Sequence, residues 1–176
     1  MGIIFNGTHY GSAKRYAEEL GRRTGFLVYN VKDIRNVPGL KDQVQVVHIG
    51  SLYAGSVVGL KEVLAAELHP SVRFTLVTVG LADPENPANS QNLMRQLEKY
   101  QRLETLDAQI FGLRGAYNHR EVSFVHRIMM GMMFRVMRNK AKKVPSEEVE
   151  AFLELQHTPV DAVDFDALKP IVQALT

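Results

Sequence analysis

Gly2-Ile3-Ile4-Phe5-Asn6-Gly7-Thr8-His9-Tyr10-Gly11-Ser12-Ala13 is the stretch whose reading decides the fold. Gly2 to Asn6 is a short apolar run of strand character. It passes directly into a polar turn, Gly7 to Ser12, which holds two glycines and the aliphatic hydroxyls of Thr8 and Ser12. A helix begins there, because Ala13, Tyr16, Ala17 and Leu20 recur at i, i+3, i+4 and i+7 and form one apolar face. Glu18 and Glu19 each stand four residues before an arginine, Arg22 and Arg23, the favourable order on a helix surface. Thr24-Gly25 ends the helix.

The same alternation continues outward. Phe26–Asn30 reads as a second strand, and Val44–Gly50 as a third after the break at Pro38-Gly39. Ser56 is placed to cap a helix carrying Val57, Leu60, Leu64 and Leu68, closed by His69-Pro70. Val72–Val79 is a fourth strand. Gly80–Ala88 holds two prolines and reads as a loop. Asn89 or Ser90 caps a helix to about Leu106, Ala108–Leu113 is a fifth strand, and a last helix runs from about Asp164 to Leu175.

Strands alternating with amphipathic helices imply an α/β fold with right-handed crossovers. Nearly continuous apolar strands imply a sheet covered on both faces. The expected architecture is a three-layer, doubly wound domain with a five-stranded parallel sheet. The whole chain, 1–176, is expected to be one domain with a helical insertion at about 114–157 before the last helix.

Composition narrows the function. The chain has 176 residues, 45% hydrophobic and 23% charged, ordinary values for a globular protein. It has no cysteine, which excludes disulfides, thiolate metal sites and a cysteine nucleophile, and fits a reducing compartment. Its six histidines form no His-Glu-x-x-His and no tight cluster with carboxylates, so no metal is expected. Met1 to Phe5 lacks a basic leader, and Asn6 stands where myristoylation needs Ser or Thr. The uncharged stretch between Asp42 and Lys61 carries too many polar and small residues for a membrane span. A cytoplasmic location is expected.

Charge is unevenly spread. Arg114 to Lys143 holds eight bases against one acid, a net of +7, and Val144 to Thr176 holds seven acids against one base, a net of −6. Five of the seven methionines fall in Phe124 to Met137. At about 100° per residue, Arg120, Arg127, Gly131, Arg135 and Arg138 share one stripe of that helix. The rest of the cylinder is apolar apart from Glu121, Ser123 and His126. Such an arc is covered by the domain, by a second copy, by a ligand or by lipid headgroups. A basic stripe beside apolar residues suits an anionic membrane surface through 120–138. Nucleic acid is not expected, because aromatic residues are not interleaved with the bases. His119 and His126, seven apart, read as solvated residues.

In open parallel sheets, ligands bind past the carboxyl ends of the strands, where strand order reverses. The loops in that position are Gly7–Ser12, Ser51–Gly55 and Gly80–Ala88. The first joins a strand end to a helix start, whose unpaired N–H groups hold phosphate well. It is neither Gly-x-Gly-x-x-Gly nor a Walker loop, which argues against a dinucleotide and against ATP hydrolysis.

Ile3 to Ala13 resembles the flavodoxin phosphate loop, Thr-x-Thr-Gly-x-Thr after the first strand. Thr8 matches the first Thr and Gly11 the glycine, while Tyr10 and Ala13 replace the other two. Flavodoxins are themselves an established instance of the switch-point rule. The resemblance implies strand order 2-1-3-4-5 and FMN as cofactor, held by Thr8, His9, Tyr10, Gly11, Ser12 and Ala13. Ser51, Leu52, Tyr53, Ala54 and Gly55 resemble the segment that touches the isoalloxazine ring, on which the resemblance implies that Tyr53 stacks. Gly80, Leu81 and Ala82 resemble the second ring-contacting loop, which offers backbone groups.

Phe111-Gly112-Leu113-Arg114 with Tyr117, followed by Phe124 to Met137, is similar to the insertion of flavodoxin-type, quinone-dependent protoporphyrinogen dehydrogenases. That similarity implies hydrogen transfer from protoporphyrinogen, a step of heme biosynthesis, through FMN to menaquinone, with the insertion peripheral at the inner face of the cell membrane. No side chain presents itself as general acid or base. Two other readings stand beside this one: an electron shuttle that serves a redox partner protein, and a flavodoxin-like scaffold without FMN. Self-association is open.

Overall fold

The computed structural model describes residues 2–53, 55–119, 124–142 and 147–176. In chain order the elements are β1 (Gly2–Gly7), α1 (Ser12–Thr24), β2 (Leu27–Asn30), two 3-10 turns (Val31–Asn36 and Leu40–Asp42), β3 (Gln45–Tyr53) and β4 (Ser56–Val57). Then come α2 (Leu60–Ala65), β5 (Arg73–Gly80), α3 (Pro87–Leu97), α4 (Gln101–Thr105) and β6 (Gln109–Arg114). The chain ends with β7 (Ala116–Tyr117), α5 (Phe124–Ala141), α6 (Glu147–Glu154), β8 (Val160–Asp161), a 3-10 turn (Phe165–Leu168) and α7 (Lys169–Leu175).

Contacts group these elements into two compact units, one from the N-terminus to Gly115 with Val163–Thr176, the other Ala116–Ala162. The first is a doubly wound α/β domain. Its parallel strands lie in the order β2-β1-β3-β5-β6, with β4 folded back antiparallel on the end of β3. Leaving out that two-residue hairpin strand, the order is the expected 2-1-3-4-5.

Alternate residues of each strand face opposite sides of the sheet, and the core divides accordingly. Ile3, Phe5, Val46, Phe74 and Leu76 join a cluster with the 3-10 turns after β2 and with α2, α3 and α4. Ile4, Val47, Ile49, Val77 and Val79 join another with α1 and α7. Covering both faces explains why these strands read as unbroken apolar runs. Each large side chain so buried contributes about 1.5–3 kcal/mol.

Several local expectations are corrected. Ser56 does not cap a helix: it pairs with Tyr53, and Val57 with Leu52, in a hairpin. Gly55 turns that hairpin at φ 72°, and α2 starts later, after Gly59 at φ 80°. Ser51–Gly55 is therefore mostly strand. The helix expected from Asn89 or Ser90 begins at Pro87, with Asn86 as cap, its side chain accepting from the Ala88 amide at 3.0 Å. It also breaks before Gln101, because Tyr100 leaves helical geometry at φ −103°, ψ 69°. The last helix is a 3-10 turn followed by α7, with the Asp164 side chain accepting from the Asp166 amide.

The second unit pairs β7 with β8 antiparallel and packs α5 on α6. Phe134 is fully buried there, 5.3 Å from the Phe152 ring. Part of the apolar arc on α5 is thus covered by α6, but Ile128, Met132, Met133 and Val136 stay exposed. His119 is not simply solvated: its Nδ1 lies 2.8 Å from the Tyr117 hydroxyl, and its ring meets Phe134 edge-on. Arg120 of the expected stripe, and Glu121 and Ser123 off it, lie outside the described residues, as does the side chain of His126. Among the described residues, no helix is long and apolar enough to cross a membrane.

Candidate cofactor site

β1 lies between β2 and β3, so the sheet's order reverses at its carboxyl end. The chain leaves that end at Gly7, which is in register with Gly50 of β3. Both positions need glycine for space. A Cβ on Gly7 would stand 2.1 Å from the Val58 carbonyl oxygen, and one on Gly50 would stand 2.9 Å from it. The Val58 peptide therefore rests directly on the ends of β1 and β3. His48, fully buried in β3, fixes that peptide by donating from Nε2 to the Val58 carbonyl at 2.9 Å. Burial holds the His48 imidazole neutral, its pKa lowered to about 4.

The loop from Thr8 to Gly11 is closed on itself. The Gly11 amide donates to Thr8 Oγ1 at 2.8 Å. Gly11 adopts φ 86°, a left-handed conformation costly for other residues, and nothing stands within 4 Å of where its Cβ would be. No side chain caps α1 at Gly11. The first turn of α1 therefore presents amide donors and the positive end of the helix dipole to the mouth of the sheet. Ser12 and Ala13 have buried side chains, so what they offer a ligand is backbone. Open space over Gly11, an uncapped helix start and the hydroxyls of Thr8 and Ser51 together fit a phosphate monoester.

Ser51, at the end of β3, donates from Oγ to Thr8 Oγ1 at 3.5 Å, joining the first two candidate loops. Tyr53 and His9 meet across the same gap, with ring centroids 4.7 Å apart at 56°. Desolvation raises the Tyr53 phenol above its ordinary pKa. Leu52 reaches over Gly80, its Cδ1 3.0 Å from where a Gly80 Cβ would be. Leu52, Gly80 and Ala82 also line a cavity of about 220 Å³ that extends to Asn89 and Ser90. Tyr10 lies beside His9, centroids 6.3 Å apart. Leu81 is half-buried in the loop after β5. Ala54 lies outside the described residues.

Two residues that shape the site carry no motif. Lys99 donates from Nζ to the Gly55 carbonyl at 2.5 Å and to Ser56 Oγ at 3.0 Å, pinning the hairpin turn from 44 residues away. His48 sits in an apolar strand and reveals its role only through Val58.

An order reversal at the central strand, with an uncapped helix start just past it, defines a mononucleotide-binding α/β domain. The chain belongs to the flavodoxin domain family, whose model matches residues 3–144. Membership supports FMN as the cofactor. Among solved structures, the chain is similar to Fusobacterium nucleatum flavodoxin bound to flavin mononucleotide, at 15% identity and a TM-score of 0.44, covering 70% of this chain and 74% of that one. It is also similar to an NADPH-quinone reductase from P. pentosaceus, at 7% identity and 0.43, covering 89% and 96%. The Trp repressor binding protein from Bacillus subtilis is similar at 11% identity and 0.45, covering 65% and 83%. No curated protein matches the chain.

Proposed function

We propose that this protein is an FMN-dependent oxidoreductase that moves hydrogen from a porphyrinogen donor to a quinone. The observation that carries the flavin assignment is the uncapped start of α1 after Gly11, closed by Thr8. Amides of that first turn, with the Thr8 and Ser51 hydroxyls, hold the phosphate. Tyr53 stacks on the ring system, and Leu52 with Gly80–Ala82 borders it. FMN, when bound, supplies the hydride-accepting centre; the protein binds it, orients it and keeps water from it. The Val58 peptide, held by His48, fixes the floor on which the phosphate loop rests.

Support for the porphyrinogen and quinone assignment comes from the insertion of Ala116–Ala162 before the last helix and from the surface of α5. Arg127, Arg135 and Arg138 run beside the exposed Ile128, Met132 and Val136. A helix of that kind lies on an anionic bilayer, where a lipid-dissolved quinone is found.

Titration of FMN into apoprotein, read by quenching of flavin fluorescence, tests the first part. Saturable binding with one FMN per chain is expected. A protein that stays colourless with excess FMN overturns the redox assignment and leaves the scaffold reading. Anaerobic assay of the loaded protein with protoporphyrinogen and a soluble menaquinone analogue tests the second. Binding of FMN without porphyrinogen turnover overturns the enzyme assignment in favour of an electron shuttle.

A further inference from the structure

A second cavity lies beside the cofactor site rather than in it. It is an open groove of about 980 Å³ between the 3-10 turns after β2 and helix α2. Its existence follows from the local sequence. Val31, Ile34, Val37 and Leu40 recur every third residue and are each more than nine-tenths buried, so the chain is held flat against the sheet. Opposite, Ala65 at the end of α2 and Ala66 just past it have side chains too small to fill the space. The result is a trough with apolar sides.

Its rim is charged with one sign in excess. Lys32, Arg35, Lys41 and Lys61 line it against Glu62 and Glu67. All six are exposed. None of the four bases makes an ion pair among the described residues. The trough also adjoins the cofactor site, because Val58 and Gly59 line it and the Val58 carbonyl rests on Gly7.

We infer that this groove docks an acidic, extended segment of a partner protein. Lys32 and Arg35, three residues apart on a 3-10 turn, stand about 6 Å apart along its axis. Every second residue of an extended peptide is about 6.6 Å apart on one side. A segment alternating acidic and apolar residues therefore sets successive carboxylates against Lys32 and Arg35 while its other face enters the apolar trough. Such pairing of complementary charge fixes register and partner choice. The inference goes beyond the flavin assignment and stands without it.

A fluorescein-labelled peptide Glu-Val-Glu-Leu-Glu-Val, with Gln-Val-Gln-Leu-Gln-Val as control, tests it on the full chain by fluorescence anisotropy. Saturable binding of the acidic peptide is expected, weakened at least tenfold between low and high salt, with the glutamine control at least tenfold weaker. K32E/R35E/K61E should abolish binding, while Lys32→Arg with Arg35→Lys retains it, and K169E on the far helix leaves it unchanged. FMN titration of the triple variant should match the parent, which separates this result from failure of the cofactor assignment. Equal binding of the two peptides, or undiminished binding by the triple variant, overturns the inference. Self-association of the parent that the triple variant loses overturns it too, because the occupant is then a second copy.

Discussion

The hydroxyl of Tyr16 donates to the Arg114 carbonyl at 2.7 Å and accepts from the Asp164 amide at 2.8 Å. One side chain of α1 thus ties the end of β6, where the chain departs toward the insertion, to the point where it returns. The α/β unit closes on itself at that phenol, on either side of the segment Ala116–Ala162. Tyr16 is buried, and its ring meets Phe165 edge-on at 5.8 Å.

Tyr16→Phe keeps the ring packing and removes both bonds. The Arg114 carbonyl and the Asp164 amide then lose their partner, which should cost about 1–3 kcal/mol. For a chain of this size that lowers Tm by roughly 2–4 °C for each kcal/mol. Hydrogen exchange at the Asp164 amide should quicken by a comparable factor. A loss under about 0.5 kcal/mol, within the scatter of surface substitutions, would mean that the staple contributes nothing.

The bond from Gly11 to Thr8 gives a prediction about cofactor affinity rather than stability. Thr8→Ala removes the acceptor that closes the loop, and one hydrogen bond of about 1.4 kcal/mol corresponds to about tenfold weaker FMN. Thr8→Ser restores it. Gly11→Ala acts differently: there is room for the methyl, so its effect comes from the left-handed conformation, at about 1–2 kcal/mol. FMN titration by fluorescence quenching ranks the three. Identical affinities in parent and Thr8→Ala would remove Thr8 from the site.

His48 makes stability depend on pH in a calculable direction. Its pKa falls from the ordinary 6.5 to about 4 on folding, so the unfolded chain binds the proton more readily. The native state is therefore fully favoured above about pH 6.5 and loses that advantage as pH falls toward 4, by about 3 kcal/mol in all. His48→Gln removes the titration. Urea unfolding of the two proteins from pH 7 to pH 4 should show the parent's advantage narrowing steadily. A gap that stays constant across that range would place the titration elsewhere.

These residues differ in how openly the sequence displays them. β1 and α1 are legible because their apolar residues fall at strand and helix spacing without interruption, and the phosphate loop lies between them. Ser56 misleads because serine before an apolar helical face looks like a cap. What decides its state is pairing with Tyr53 and a Lys99 anchor 43 residues away, which no local window contains. Asn86-Pro87 was readable as a cap followed by a first-turn proline, yet the prolines of that loop draw attention to the turn instead. The 3-10 turns after β2, and the groove they leave, follow from a period of three in Val31, Ile34, Val37 and Leu40 that strand and helix templates both miss. On α5 the composition shows a wide apolar arc but not which part is covered. Only the packing of Phe134 on Phe152 settles that.

With that seam covered, the outward side of α5 remains exposed. Ile128, Met132 and Val136 recur every fourth position and are 51%, 58% and 61% exposed. At about 100° per residue, the Arg127–Arg135–Arg138 stripe lies directly beside them. On the membrane reading proposed above, this apolar ridge and its guanidinium groups meet anionic headgroups. Each basic residue near such a surface contributes about 1 kcal/mol. Arg127→Gln with Arg135→Gln should therefore weaken co-sedimentation with phosphatidylserine vesicles by roughly thirtyfold. Met132→Asp should weaken it as well, through the apolar term, and salt should release the parent because exposed charges are screened within about 10 Å at 0.1 M. Phosphatidylcholine vesicles should retain little protein. If neutral and anionic vesicles sediment the parent equally, or the double variant binds as the parent does, the arginine stripe has no part in membrane contact.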